Sequence, residues 1–385
     1  MINKTIERIL EKHIIEHLFK GKIIIIYGAR QVGKTTLVQM LLNKLDRNYL
    51  YLNADEIDVR ELLEDATSTK LKSIVKNSSI VFIDEAQRIK NIGLTLKIFA
   101  DQINEVQVIV TGSSSLDLLS KINEPLTGRK YEFILYPLSF QELVNSTSII
   151  EEKRFLEFRL IYGYYPEIVS KKVEEKELLK LLVNSYLYKD ILNLEKIKKP
   201  QILEKIVKVL ALQVGNEVSY NEIAQIVDSD KQTVEKYIYL LEKSFVIFRL
   251  QSFSKNLRNE IKKSKKIYFY DNGIRNAIIG NFNLLSNRVD KGALFENFLI
   301  SERLKYIYYN NINCNRYFWR TKQQQEIDYI EEFEDLDKQV NILNAYEFKF
   351  SKKAKPKFPK TFTNIYKESR TMLITEDNFE NFLGY

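Results

Sequence analysis

Cysteine and histidine are nearly absent from this chain, which has one cysteine, Cys314, and two histidines among its 385 residues. A single cysteine excludes an internal disulfide framework and suits a reducing compartment. A zinc site made of cysteine and histidine is disfavoured for the same reason, because such sites draw on several of these side chains. We therefore predict a cytoplasmic protein without structural zinc.

Long apolar runs are missing as well. The longest candidate, Ile23–Tyr27, has the length of a strand and is far too short for a membrane helix. The first ten residues have the pattern of an amphipathic helix rather than of a charged stub followed by an apolar signal segment. We expect no membrane partner.

The remaining composition is that of a soluble globular protein, with 45% apolar and 29% charged residues. The length is sufficient for two or three domains, each with its own core. The net charge of +8 suits an acidic partner such as nucleic acid. A composition rich in Lys, Ile, Asn, Tyr and Phe is also common in proteins from AT-rich genomes, so both explanations of the charge remain open.

A glycine-rich loop follows the first apolar run, in IIIIYGARQVGKTTL. It fits the motif G-x-x-x-x-G-K-[ST] between a strand and a helix, the arrangement in which backbone N–H groups face a phosphate. The helix that follows adds its positive end. We expect the Lys34 ammonium to reach the β- and γ-phosphates of ATP and the Thr35 hydroxyl to bind Mg²⁺. The predicted nucleotide-binding residues are Gly28, Ala29, Arg30, Gln31, Val32, Gly33, Lys34, Thr35 and Thr36.

A second apolar run, Ile80–Ile83, ends in two acids, Asp84 and Glu85. Continuous apolar runs are typical of strands buried on both faces of a parallel sheet, and ligands bind at the carboxyl ends of such strands. We predict that Asp84 holds Mg²⁺ and that Glu85 polarises the attacking water. A base beside the metal ligand favours ATP hydrolysis over phosphoryl transfer to a small molecule.

Two further polar groups are candidates for the same site. The run VQVIVTGSSSL continues into Ser113, whose hydroxyl is a candidate contact for the γ-phosphate or the water. Arg129, in LTGRKYEF, is a candidate arginine finger that would act in trans within a homo-oligomer. A solvated surface arginine is the alternative for Arg129.

The middle of the chain has helical periodicity after Leu143, and Lys198-Lys199-Pro200 interrupts it. The stretch VSYNEIAQIVDSDKQTVEKYIYLLEKSFVIFRL then predicts a helix, a turn, a second helix capped by Asp230, and a hairpin over residues 246–270. This is the layout of a winged helix-turn-helix. DNA contact and structural coupling to other domains are both open functions for it.

The DNA-binding alternative makes two residue predictions. On the second helix, the residues expected to face the groove are Lys231, Gln232, Thr233 and Lys236. On the hairpin, the residues expected to form a basic tip are Lys255, Arg258, Lys262, Lys263, Lys265 and Lys266.

The order of the segments GARQVGKTTL, VFIDEAQ, TGSSS and LTGRKYEFILYPLSFQEL resembles the prokaryotic AAA-type P-loop ATPases related to the STAND proteins. More closely, the chain resembles the family in which such an ATPase carries a C-terminal domain of unknown function, often compared to nucleases. In that family GGYPE follows the ATPase core, and here Tyr164 replaces the second glycine. The resemblance implies bound ATP and Mg²⁺.

A helix with one acid, followed by two strands with acids and a lysine, resembles the PD-(D/E)XK nucleases. The matching residues are Glu296, Asp328, Glu347 and Lys349, and Ile327 stands where the pattern has proline. The resemblance implies a second Mg²⁺ or Mn²⁺ shared by Asp328 and Glu347, with Glu296 as an added contact and Lys349 serving the water. The alternative is a fold kept for binding, in which these charges form structural ion pairs.

We therefore predict an α/β multidomain protein with a P-loop NTPase core, a helical lid, a winged helix-turn-helix and a restriction-nuclease-like α/β domain. The predicted domains cover residues 1–142, 143–208, 209–272 and 273–385. The predicted function is ATP hydrolysis that controls a nucleic-acid-directed C-terminal domain. The alternative is a nucleotide-regulated switch that binds DNA or a protein, with an inert nuclease-like domain. A small-molecule kinase is disfavoured because it gives the long C-terminal part no role.

Overall fold

The computed structural model describes residues 6–112, 122, 125–171, 174–185, 197, 199–254, 264–335, 340–351 and 353–385. The chain divides into two compact units. Unit 1 comprises Met1–Leu138 with the short segments Asn193–Lys196 and Lys243–Phe245, and unit 2 comprises the rest. Six residues named above lie outside the described residues: Ser113, Lys198, Lys255, Arg258, Lys262 and Lys263.

Unit 1 is built on a parallel sheet. Its strands are β1 (Ile23–Tyr27), β2 (Tyr49–Asn53), β3 (Ile80–Asp84), β4 (Gln107–Gly112) and β5 (Lys130–Ile134). Its described helices are α1 (Leu10–His17), α2 (Lys34–Leu45), α3 (Ile57–Leu63), α4 (Ser68–Val75) and α5 (Ile92–Gln102). Strands β1, β3 and β4, which contain the three apolar runs described above, are fully buried, as strands inside a parallel sheet should be.

The strand order positions the site of unit 1. The order is β2-β3-β4-β1-β5, and each neighbouring pair is parallel. Strand β4 therefore lies between β1, which leads into the glycine-rich loop, and β3, which ends in Asp84. Because parallel strands end at the same edge, the loop, Asp84 and the end of β4 meet there. The predicted P-loop sequence of strand, loop and helix is confirmed.

Unit 2 combines helices with a mixed sheet. Its N-terminal described helices are α6 (Phe140–Ser146), α7 (Ile149–Arg154), α8 (Leu156–Tyr162), α9 (Pro166–Ser170), α10 (Glu175–Leu182), α11 (Pro200–Leu212), α12 (Tyr220–Ile226) and α13 (Lys231–Lys243). Its later described helices are α14 (Asn272–Ile279), α15 (Lys291–Tyr309), α16 (Lys360–Ile365) and α17 (Phe379–Phe382). None of the described helices of the protein combines the length and the apolar character that crossing a bilayer requires.

The strands of unit 2 form one sheet in the order β12-β11-β10-β9-β7-β8-β6. They are β6 (Glu217–Val218), β7 (Ile247–Ser252), β8 (Lys265–Phe269), β9 (Asn315–Arg320), β10 (Glu326–Asp335), β11 (Val340–Lys349) and β12 (Arg370–Thr375). Helix α15 packs on β8 and β11. An apolar core on this sheet includes Phe253, Trp319, Ile330 and Phe362.

The predicted hairpin forms the antiparallel pair β7–β8, but it continues into the C-terminal sheet. Strand β7 pairs in parallel with β9 at Gln251 and Ser252. The sheet therefore crosses the domain boundary predicted at residue 272, and the four-domain division remains a prediction. The Asp230 cap of α13 is confirmed, since its carboxylate accepts hydrogen bonds from the Thr233 N–H at 2.8 Å and the Thr233 hydroxyl at 2.7 Å.

The GYYPE segment joins α8 to α9. Gly163 has φ of 75°, and a Cβ there would lie 2.1 Å from a carboxylate oxygen of Asp271, so this position requires glycine. The next N–H, of Tyr164, donates to Asp271 at 2.6 Å, and the Tyr164 side chain is buried. Tyrosine is therefore tolerated at the second position of the motif, because the tight turn is made by Gly163 alone.

Candidate functional site

The glycine-rich loop of unit 1 is fixed against the strand beside it. Gly28 has φ of 155°, and a Cβ at this position would lie 2.2 Å from the Leu135 carbonyl oxygen. Any side chain at residue 28 would therefore push the loop away from the segment after β5. Of the other predicted loop residues, Gln31 and Thr36 are exposed, whereas Ala29 and Val32 are buried and hold the loop on the core.

The lysine and the threonine of the motif begin α2. The Lys34 ammonium is buried and donates to the carbonyl oxygens of Gly28 at 3.0 Å and Ala29 at 2.8 Å. The Thr35 hydroxyl donates to Asp84 Oδ2 at 2.8 Å. A hydroxyl and a carboxylate are oxygen ligands of the kind Mg²⁺ prefers, so the pair predicted to bind this ion fits it.

Asp84 collects further hydroxyl groups. Thr111, at the end of β4, donates to Asp84 Oδ1, and the Tyr51 hydroxyl donates to Oδ2 at 3.3 Å. Burial, and then the Asp84 charge, raise the pKa of Tyr51 to about 12. Among the described residues, β4 thus brings the Thr111 hydroxyl to the acids. The role of Ser113 remains a prediction, because this residue lies outside the described residues.

Glu85 has an unusual backbone. Its φ is 52°, in the left-handed region that few residues other than glycine adopt, and such conformations cluster at functional sites. Its N–H donates to the Thr111 hydroxyl at 3.4 Å, and its carboxylate accepts from the Gln87 amide at 2.5 Å. These contacts turn Glu85 away from the strand direction and orient its side chain.

Arg8 is a site residue that the sequence analysis missed. Its guanidinium is buried and donates to the Val32 carbonyl oxygen at 2.7 Å and to the Tyr136 carbonyl oxygen at 2.6 Å. It therefore ties the glycine-rich loop to the chain beyond β5. The local sequence gives no signal for this role, because Arg8 lies well before the motif.

Arg129, the candidate arginine finger, is paired within its own chain. Its Nε lies 2.5 Å from Asp101 Oδ1, and its side chain is 39% exposed. If Arg129 acts in trans, ATP hydrolysis per subunit should rise with protein concentration, and Arg129→Ala should flatten that rise. Asp101→Asn is the control, since it frees the arginine without removing it. A concentration-independent rate that the Arg129→Ala variant retains would remove Arg129 from the site.

A second group of charges lies in unit 2, around the predicted nuclease-like residues. Asp328 accepts a hydrogen bond from the Phe348 N–H at 2.8 Å. Lys349 Nζ lies 3.2 Å from Glu347 Oε2, so the two charges on one face of β11 form an ion pair. Burial, followed by the charges of Glu296 and Glu347, raises the pKa of Asp328 to about 8. The four predicted residues are thus electrostatic neighbours.

Three residues that the sequence analysis did not assign to this group also belong to it: Lys266, Tyr268 and Glu326. The Lys266 ammonium lies 3.2 Å from Glu296 Oε1 and forms a salt bridge with Glu326. The Tyr268 hydroxyl donates to Glu296 at 2.7 Å, and burial, then Glu296, raise its pKa. The prediction that Lys266 belongs to an exposed basic hairpin tip is wrong, since only 1% of its side chain is exposed. It faces inward because Lys265 and Lys266 point to opposite faces of β8.

The metal predicted for this group has no support from its geometry. Among the residues that the structure describes, no three acidic, histidine or cysteine side chains are placed so that they could hold one ion. The Lys266 ammonium lies between Glu296 and Glu326 instead. Asp328 and Glu347 therefore do not form a ready metal site in this arrangement.

Three family models match successive parts of the chain. A model described as an AAA domain matches residues 20–144. Models of two domains of unknown function, DUF8612 and DUF4143, match residues 153–285 and 291–381. The resemblance to STAND proteins and to nucleases remains a prediction.

The relatives are uncharacterized proteins. One from Methanocaldococcus jannaschii is 24% identical over 346 residues, covering 84% of this chain and 75% of the relative. One from Haemophilus influenzae is 28% identical over 283 residues, covering 66% and 69%. A solved structure, a Walker-type ATPase of Pyrococcus abyssi, is 16% identical with a TM-score of 0.48, covering 71% of this chain and 96% of that one. With the P-loop geometry described above, the match over residues 20–144 identifies an ATPase-like AAA domain in unit 1.

Proposed function

We propose that the protein binds Mg-ATP at the P-loop of unit 1 and hydrolyses it, and that its nucleotide state controls nucleic-acid binding by unit 2. The observation that carries the first half is the contact of 2.8 Å between the Thr35 hydroxyl and Asp84 Oδ2, at the start of the helix that follows the P-loop. It brings together the two oxygen ligands that a P-loop ATPase needs for Mg²⁺.

Each residue of this site has a distinct task in the proposal. Mg²⁺, when bound, neutralises charge on the β- and γ-phosphates. Thr35 and Asp84 would hold the ion. The Lys34 ammonium would exchange its two carbonyl contacts for phosphate oxygens, which are charged and therefore stronger acceptors. Glu85 would orient and polarise the attacking water.

The second half of the proposal rests on α13. Its exposed residues include Lys231, Gln232 and Lys236, whereas Val234 and Ile238 are buried and fix the helix in unit 2. Thr233 is committed to the Asp230 cap, so it is the least suited of the predicted groove residues. Exposed lysines on one helix suit the phosphates of DNA, which attract positive charge without regard to sequence.

ATP and DNA binding can be tested on the same preparations. The wild type should hydrolyse ATP only with Mg²⁺, and its affinity for duplex DNA at low salt should differ between ATP and ADP. Lys34→Ala should lose nucleotide binding, because the phosphates lose their buried cation, and its DNA affinity should be the same with either nucleotide. Lys44→Ala, which removes an ammonium paired with Glu11 at the far end of α2, is the control.

The DNA half has its own matched variants. Replacing Lys231 and Lys236 with Ala should lower the slope of log affinity against log salt by about two. Replacing Lys205 and Lys208, two exposed lysines of α11, should leave the slope unchanged. If the wild type binds no DNA even at low salt, the DNA half of the proposal is wrong, and helices α12 and α13 couple the units or bind a protein. The ATPase half is tested separately by Lys34→Ala.

The alternative function is a switch with a nuclease-like fold that does not cleave. One observation favours it over metal-dependent cleavage: the ammonium of Lys266 lies among the carboxylates that would have to bind the metal. Strand cleavage by the wild type in Mg²⁺, abolished by Asp328→Asn, would overturn this alternative.

A further inference from the structure

A buried lysine occupies the centre of the charged group in unit 2. Lys266 extends from β8 across Phe318 of β9, with its ammonium 5.5 Å from the Phe318 ring centroid. It ends beside Glu296 of α15 and Glu326 of β10. One ammonium thus joins a helix and two strands of the sheet.

The charges around Lys266 explain why a cation is needed there. The carboxylates of the group are those of Glu296, Glu326, Asp328 and Glu347. Their other cations lie at the margin: Lys349 is half exposed, and Arg320 is 3.8 Å from Glu326. Carboxylates that are partly withdrawn from water repel one another strongly unless a cation is among them.

Lys266 keeps its charge in this position. Burial opposes ionisation, but the carboxylates of Glu296, Glu326 and Asp328 outweigh it and raise the pKa of Lys266 above its ordinary value. The ammonium is therefore a permanent cation at neutral pH. A divalent ion bound to Glu296 would have to lie next to this charge, because oxygen ligands hold such ions within about 2.6 Å.

We propose that the Lys266 ammonium takes the place that a divalent cation holds in a metal-dependent nuclease-like site. The carboxylates of the charged group in unit 2 are then neutralised without a metal. This inference concerns unit 2 alone and is independent of ATP hydrolysis in unit 1. An ammonium satisfies the carboxylates but supplies no bound water of lowered pKa, which is what a metal contributes to phosphodiester cleavage. Unit 2 is then a binding element.

The experiment is a titration of the full chain with Mn²⁺, followed by the signal of the free ion in electron paramagnetic resonance. All proteins carry Asp84→Asn, so that the P-loop acid does not contribute. With Lys266 intact, we expect no specific Mn²⁺ binding. Lys266→Met keeps an unbranched side chain that is one atom shorter and removes the charge. This variant should gain one Mn²⁺ site per chain. Its affinity should be at least about tenfold higher than that of any Mn²⁺ binding by the protein with Lys266 intact, because the carboxylates now need a cation.

Two further variants locate the gained site. Lys265→Met removes the neighbouring lysine on the other face of β8 and should gain nothing. Adding Asp328→Asn to Lys266→Met should abolish the gain. If Lys266→Met does not fold, Lys266→Met with Glu326→Gln removes one carboxylate together with the ammonium and should still gain a site through the remaining acids.

Two results would overturn the inference. One is a Mn²⁺ site in the protein with Lys266 intact that Asp328→Asn removes, since the ammonium would then not exclude the ion. The other is a folded Lys266→Met variant that binds Mn²⁺ no better than Lys265→Met. Neither result depends on whether unit 1 hydrolyses ATP, because the Asp84→Asn background already lacks that metal ligand.

Discussion

Glu85→Gln should bind Mg-ATP about as well as the wild type and hydrolyse it about 10²- to 10⁴-fold more slowly. Binding should persist because Lys34, Thr35 and Asp84 are unchanged and provide the phosphate and metal contacts. Turnover should fall because an amide can still accept a hydrogen bond from a water but cannot take its proton. The Gln87 amide, which now donates to the carboxylate, can donate to the amide oxygen instead.

Single-turnover hydrolysis and equilibrium binding of a fluorescent ATP analogue separate these two effects. Glu61→Gln, an exposed residue of α3, is the matched control. Unchanged turnover in Glu85→Gln would assign the water to another residue. A loss of binding would mean instead that the left-handed backbone at residue 85 depends on the carboxylate and supports the loop.

The part of this site that the sequence predicts is the part set by contiguous residues. The loop with its strand and helix is a local motif, and Asp84 follows from the end of a buried strand, so both were found. Which hydroxyl reaches Asp84 depends on where β4 ends, and a sequence pattern does not fix the end of a strand to within one or two residues. The pattern alone therefore does not predict that the Thr111 hydroxyl donates to Asp84. Arg8 depends on tertiary structure, since it contacts carbonyl groups far along the chain.

In unit 2, the sequence pattern grouped acids that are electrostatic neighbours in the structure, but it did not place Lys266 among them. Glu296, Asp328 and Glu347 act on one another electrostatically, as the pattern of one helix and two strands suggested. Lys266 was assigned to a basic hairpin because five other basic residues lie close to it in the sequence. The alternation of a strand could have given a signal, since Lys266 and Tyr268 share a face and both contact Glu296. Which face is buried became clear only from the pairing of β7 with β9 and the position of α15.

The stability of unit 2 should fall as the pH rises from about 4 to about 8, and Asp328→Asn should reduce this fall. In the unfolded chain Asp328 titrates near 3.8, whereas in the folded protein burial, then Glu296 and Glu347, raise its pKa to about 8. Between these pH values the folded protein holds a proton that the unfolded chain has released. The free energy of unfolding therefore decreases as the pH rises through this window.

The size of the effect is limited by the partial exposure of Asp328. Each unit of pKa difference corresponds to about 1.4 kcal/mol of unfolding free energy. Exposure of Asp328 to water reduces the total contribution of this group to about 1–3 kcal/mol. Asparagine does not titrate and can still accept the hydrogen bond from the Phe348 N–H, so the variant should fold. The loss of stability between low pH and pH 8 should therefore be smaller in Asp328→Asn than in the wild type.

The single tryptophan makes this measurement specific for unit 2. Trp319 is buried in the core of the unit 2 sheet, so its fluorescence during urea unfolding reports on this unit and not on unit 1. Asp377→Asn, at an exposed aspartate of the same unit, is the control and should keep the wild-type pH dependence. Equal pH dependence in Asp328→Asn and the wild type would show that the proton is held elsewhere in the group. A larger fall in Asp328→Asn than in the wild type would contradict the prediction, because removing a group that holds a proton in the folded protein should weaken the pH dependence of stability.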